Sequence, residues 1–159
     1  MASTGSGRRA LLKAAVLSPL AALAARDGFA RDYTSAAEVF DAIDGLEAEV
    51  AARLRALRTA MPSSGPFAAS VAADHARHRA EREGLRRRLG LPPASAATGT
   101  RTAAADLEGL RAAQEALVYA HAEGLPAVGD PFVVQALARH MVDLSRQLTV
   151  TQLWIETES

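Results

Sequence analysis

From residue 35 onward the chain carries four helix-spaced lines of apolar residues. The first runs Phe40, Ile43, Glu47, Val50, Leu54, Leu57, Met61 and is apolar except at Glu47. The second runs Phe67, Val71, Asp74, His78, Glu81, Leu85, with three polar residues between apolar ends and Leu89 one place off strict register. The third is Leu107, Leu110, Gln114, Leu117, His121. The fourth is Val133, Leu137, His140, Leu144, Leu148, flanked by Asp143 and Gln147. Ala, Leu, Arg and Glu dominate and β-branched runs are short, which is helical composition.

Punctuation separates the four lines. Ser35 with Glu38 three residues on forms a capping box, and the first helix runs to about Met61, before Pro62-Ser63-Ser64-Gly65. Pro66 opens the second helix, and Gly90 followed by Leu91-Pro92-Pro93 closes it. The third helix is expected from about Ala103 to Ala122, stopping near Gly124 and Pro126. Asp130 caps the fourth, with Pro131 in its first turn, and that helix reaches about Glu156. The short connections predict two antiparallel hairpins. Residues 91–102, small and loop-forming, could extend over ~40 Å, the length of a ~25-residue helix. The fold expected is therefore all-α: a four-helix bundle over residues 35–159, built as two helical hairpins joined by a crossover-length loop.

Ahead of the bundle, Arg8-Arg9-Ala10-Leu11-Leu12-Lys13 precedes an apolar run from Ala14 to Ala25, broken only by Ser18 and Pro19. Ala22-Leu23-Ala24 supplies a small-x-small pattern. A charged n-region, an apolar h-region and such a site make a secretory signal. The segment resembles a twin-arginine (Tat) export signal, with Gly7 where Ser or Thr is usual and Leu11 where Phe is commonest. The resemblance implies a signal over residues 1–24, a linker over 25–34, and a protein exported to the periplasm or beyond the cell. Its partners on that route would be the Tat translocase and a signal peptidase. The apolar run is too short and Ala-rich for a good membrane span, which needs ~20 strongly apolar residues, so no stable membrane insertion is expected. Tat cargo travels folded, often with a metal or cofactor in place.

Charge and composition narrow the chemistry. The 159 residues balance 18 basic against 18 acidic side chains, and setting aside Arg8, Arg9 and Lys13 with the signal leaves a net charge of −3. Nucleic acid is disfavoured by the lack of a net basic footprint. There is no cysteine, which removes disulfides, c-type haem attachment, iron–sulfur clusters and thiolate metal sites. Any metal must be held by His, Asp and Glu. Sparse aromatics argue against a sugar- or peptide-binding platform. The clusters Arg53/Arg55/Arg58, Arg77/Arg79/Arg82 and Arg86-Arg87-Arg88 read as solvated outer faces paired with acids one turn away. No Ser-His-Asp set, phosphate loop or dinucleotide fingerprint occurs.

What remains is a polar layer where a core should be. Glu47, His78, Gln114, and His140 with Asp143 all fall near the middle of their helices. Each costs a few kcal/mol if buried without a partner, so they must satisfy one another or bind something. Inward carboxylates and histidines at mid-bundle resemble the ferritin-like proteins, whose di-metal site takes a Glu from each of two helices and a Glu-x-x-His from each of the others. This chain reverses that motif, as His78-Arg79-Ala80-Glu81 and His140-Met141-Val142-Asp143. The i, i+3 spacing still puts imidazole and carboxylate on one face. The resemblance implies a site for one or two metal ions at Glu47, His78, Glu81, His140 and Asp143, for iron, manganese, zinc or copper; read without a metal, Glu47 is the partner of an inward arginine and His78 a core histidine bonded to Glu47 or Asp74. His121 reads as a cation at the end of the third helix, and His75 as a solvated neighbour. A second reading is a non-catalytic bundle that has lost the metal site and works as a scaffold, a homodimer or a partner-binding protein. A third is non-covalent haem binding, with Met61 or Met141 as an axial ligand. No catalytic group identifies itself.

Overall fold

The computed structural model describes residues 32–95 and 103–158. The export-signal reading of residues 1–24, linker residues 25–31, and residues 96–102 of the long connection lie outside them. The described residues hold four long helices and no strand: α1 (Ala36–Ala60), α2 (Gly65–Arg88), α3 (Leu107–Val128) and α4 (Pro131–Glu158). A 3-10 turn at Pro62–Ser64 joins α1 to α2. The all-α, four-helix expectation holds. No described helix is long and apolar enough to cross a membrane.

Side-chain caps set the ends. The Ser35 hydroxyl accepts from the Glu38 N–H at 3.3 Å, and the Glu38 carboxylate accepts from the Thr34 N–H at 2.8 Å. At the end of α2, Gly90 takes the left-handed conformation with φ 67°, and the Leu91 N–H donates to the Arg86 carbonyl at 2.9 Å. Asp130 caps α4 by accepting from the N–H groups of Phe132 (2.9 Å) and Val133 (3.2 Å).

The third helix departs from expectation at both ends. It starts at Leu107 rather than Ala103, and Asp106 caps it, accepting from the Gly109 N–H. It also runs through Gly124 and Pro126 to Val128, where Gly129 at φ 72° ends it. Pro126 lies in the last turn, where it forfeits the bond an N–H would give to the Ala122 carbonyl, and the helix ends two residues on. Gly124 packs rather than stops: a Cβ there would drive into the Val39 side chain.

The apolar core lies mostly among α1, α3 and α4. Val39, Phe40, Ile43 and Val50 of α1 meet the layer that also buries Leu110, Leu117, Val133, Leu137 and Leu144. The second helix is different in kind. Its buried residues are Ala68, Val71, His75, His78, Arg82, Leu85 and Arg86. The inward face is therefore turned about one residue from the predicted line, taking His75 and Arg82 in place of Asp74 and Glu81. Arg82 and Arg86 are 1% and 2% exposed, which overturns their reading as solvated, and His75 is buried as well. The cause lies on α1, where Asp41, Asp44 and Glu47 meet α2 with three carboxylates. Long arginine stems also cover apolar surface while their heads reach these acids. Toward the other end of α2, Phe67 meets Trp154 edge-on, with ring centroids 4.9 Å apart.

The Gly124 contact is testable. Gly124→Val should destabilise the domain by about 1–3 kcal/mol through overpacking, and Val39→Ala in the same chain should recover part of that loss. Urea denaturation reads both, and a Gly124→Val protein as stable as the parent would contradict the close approach.

Candidate functional site

Two polar networks flank α2 at mid-bundle. Toward α1, the Arg82 guanidinium donates to both Glu47 carboxylate oxygens, at 2.8 and 2.5 Å, and to Asp44 at 2.8 Å. Arg86 donates to Asp41 and to the other Asp44 oxygen, both at 2.8 Å. Glu47 is fully buried. Burial pulls the Arg82 pKa down, but the carboxylates of Glu47 and Asp44 outweigh it and hold it above the ordinary arginine value. Forked guanidinium–carboxylate geometry of this kind is the strong form of an ion pair.

Toward α4, the reversed motifs find their reason. The His78 Nε2 lies 3.1 Å from Asp143, and the His140 Nε2 lies 2.9 Å from Glu81. Farther along, Gln147 donates to Asp74 at 3.2 Å. As the position on α2 rises, the partner on α4 falls, so these helices run antiparallel. Each histidine meets the other helix's acid, and two identical i, i+3 spacings interlock. Arg77 backs Asp143 at 2.9 Å and Arg139 backs Glu81 at 2.8 Å.

These bonds fix the tautomers. An ionised carboxylate only accepts, so His78 and His140 each carry the proton on Nε2 and leave Nδ1 as a bare lone pair. His121 is bound through Nδ1 to the Leu117 carbonyl at 2.8 Å, which leaves its Nε2 bare. His78 Nδ1, His140 Nδ1 and His121 Nε2 are all buried with no hydrogen-bond partner, as are both amide atoms of Gln114. The His78 and His140 rings stack at 4.1 Å and 19°, and His121 meets His140 edge-on at 6.2 Å. His75 stands 6.4 Å from His78.

Burial keeps these imidazoles neutral. It pushes His78 below the ordinary histidine value, with His140 adding to the shift against the pull of Asp143. Burial does the same to His140 against Glu81, and to His75. His121 goes furthest, down to about 3. A helix-end cation is thus the wrong description of His121: α3 continues beyond it, and it is wholly enclosed. On the acid side, the hydrogen bond from His140 lowers the pKa of Glu81. Burial raises that of Asp143, but His78 and Arg77 prevail and hold it low.

The five sequence-predicted ligands therefore take three different places. Glu47 is held by Arg82. Glu81 and Asp143 sit at the margin and orient imidazoles. His78 and His140 lie inside, and the structure adds His121 and His75 to them. Position 121 was already on the third apolar line, but Gly124 and Pro126 read as a helix end hid its depth. Among the described residues, no group of three or more His, Asp or Glu is arranged to hold a metal ion. Met61 lies at the C-terminal cap of α1, away from the cluster. In comparisons with protein-family models, curated proteins and solved structures, the chain matches none.

Two measurements bear on these networks. Glu47→Ala should cost about 3–5 kcal/mol, since it removes the principal partner of a buried cation. The double change Glu47→Leu/Arg82→Met should cost less than Glu47→Ala, and a denaturation series in which the double change costs more would contradict the pairing. The second measurement is acid sensitivity. The four imidazoles have folded pKa values below their unfolded ones, so the folded state binds fewer protons. Their stabilisation is complete above pH ~6.5 and is lost as the pH falls toward the folded values. His121 alone should forfeit about 3 kcal/mol by pH 4. Urea midpoints should fall steadily from pH 7 to 4.5 and fall less steeply in His121→Met, whereas flat midpoints would mean that the histidines are not buried neutral.

Proposed function

We propose that this protein is an exported, ferritin-like four-helix bundle that binds one transition-metal ion at mid-bundle. The ligands are the imidazoles of His78, His140 and His121, with Asp143 and Glu81 orienting the first two. The observation that carries the reading is the trio of bare, buried nitrogen lone pairs whose tautomers are already those a metal needs. A ligating histidine characteristically gives its other N–H to a carboxylate or a carbonyl, and ligands must be deprotonated to bind. Both conditions are met before any ion arrives. The carboxylate-rich set of the ferritin-like pattern fits less well, because Glu47 is committed to Arg82. The trio becomes a site when the imidazole rings turn to converge on one point. Once bound, iron, manganese or copper would supply one-electron chemistry there, and zinc a Lewis acid.

Helix directions support the ferritin-like part. Arg53 reaches Asp106 at 3.5 Å, and Gly124 abuts Val39, so α1 and α3 run antiparallel. Arg82 with Asp44 and Arg86 with Asp41 make α1 and α2 antiparallel too. The second and third helices then point the same way, the relation that helices joined by a crossover have. The exported part rests on Arg8-Arg9 and the apolar run behind them.

Two observations favour a second reading, a bundle without metal that serves as a scaffold or partner-binding protein. Arg82 places a buried cation beside the histidines, and no described triad is arranged for coordination. Elemental analysis of the purified full chain, after incubation with iron, manganese, zinc or copper, decides between them. The metal reading expects about one ion per chain, lost in His78→Ala and His140→Ala, and bound about 10–100-fold more weakly in Asp143→Asn. Retention of none of the four ions would leave the scaffold reading.

A further inference from the structure

A groove between α1 and α2 opens on the side of His75, with a volume of about 320 Å³. Its floor is apolar and shallow-walled: Ala51 and Leu54 from α1, and Ala68, Ala69, Ala72 and Ala76 from α2. Alanines at these positions leave space that larger side chains would fill. Three arginines, Arg55, Arg58 and Arg79, stand along it with exposed side chains. Arg79 pairs with Glu47 only at long range, 4.0 Å, since the Glu47 oxygens are already bonded to Arg82. At its floor is His75, 5% exposed.

These features specify a ligand. Clustered guanidinium groups repel cations and bind carboxylates in a forked geometry. An alanine floor offers nothing to a sugar or a nucleobase but accepts an alkyl chain, and pockets of this size suit small, mainly apolar ligands. His75 and Arg79 lie one turn apart on one face of α2, so a carboxylate held by Arg79 above His75 would leave its chain running toward Ala72 and Ala68. From His75 back to Ala68 the helix rises roughly 10 Å, about the length of an eight-carbon chain.

We propose that this groove binds a medium-chain acyl carboxylate, its head on Arg55 and Arg79 and its chain along the alanine floor. The site stands apart from the mid-bundle metal reading and holds whether or not a metal binds.

Isothermal titration of the full chain with sodium octanoate tests it. Saturable binding of one octanoate per chain is expected. Acetate, which lacks the chain, and 1-octanol, which lacks the charge, should each bind at least about tenfold more weakly. Arg55→Ala/Arg79→Ala, at exposed positions, should weaken octanoate by about tenfold or more with an unchanged circular dichroism spectrum. Ala72→Leu, which fills the floor without touching a charge, should do the same and stands in if the double variant misfolds. The proposal is overturned if octanoate shows no saturable binding, if octanol binds as well as octanoate, or if neither variant weakens it. It is also overturned if sedimentation shows a dimer that Ala72→Leu abolishes, since the groove would then belong to a second copy of the chain.

Discussion

The buried pairing of Arg82 with Glu47 governs how this bundle is assembled. A four-helix bundle ordinarily seats each helix by an apolar stripe, and α2 has too little of one: between Val71 and Leu85 its buried residues are His75, His78 and Arg82. The helix is held instead by charge on one side and by hydrogen bonds on the other. Arg82 and Arg86 grip Asp41, Asp44 and Glu47 of α1, while His78 and His140 interlock with Asp143 and Glu81 across to α4. Such an arrangement is more directional than hydrophobic burial. A buried ion pair gains little over an apolar substitute in net stability, but one broken partner is costly. The register of α2 is thereby specified, because a shift of one residue would strand charges in the core.

The same pairing also acts on the histidines. Arg82 is close enough to disfavour protons on His75, His121 and His140, although burial is the larger influence on all three. Glu47 pulls the other way, more strongly than Arg82 at His75 and less strongly at His140. Neutral imidazoles can stack at 4.1 Å, as His78 and His140 do, without charge repulsion. The latch toward α1 and the imidazole cluster are thus one electrostatic unit.

Much of this was legible along the chain, and the part that was not has a physical cause. Element existence and most caps followed from Ser35, Gly90 and Asp130, because caps are local chemistry. The layer of polar residues at one height was visible as breaks in four apolar lines. What the periodicity could not give was the rotation of α2. Asp74, His75, His78, Glu81 and Arg82 are all polar, so an apolar line has no purchase there, and the choice of inward face was made by the acids of α1. The pattern Asp41, Asp44, Glu47 against Arg82, Arg86 was present at helical spacing, but reading it required knowing that α1 faces α2. The depth of His121 was lost for another reason: Gly124 and Pro126 are ordinarily helix stops, and here Gly124 serves close packing against Val39.

The engagement of the carboxylates has a consequence for any cation at mid-bundle. In the ferritin-like pattern, anionic glutamates neutralise the metals directly. Here the acids are spent: Glu47 on Arg82, Glu81 on His140 and Arg139, Asp143 on His78 and Arg77. Among the described residues, the buried groups without a hydrogen bond include the imidazole nitrogens of His78, His121 and His140 and the Gln114 amide. Hard ions that demand oxygen and charge, such as magnesium and calcium, are poorly served by such a set, whereas imidazole suits zinc, copper and iron. The acids would still act at one remove, since a carboxylate that draws on the far N–H makes the near nitrogen a better donor. In this chain the order His-x-x-acid, rather than acid-x-x-His, is what moves the carboxylates to the margin. With α2 and α4 antiparallel, it lets each histidine turn inward while its Nε2 is held by the opposite helix's acid.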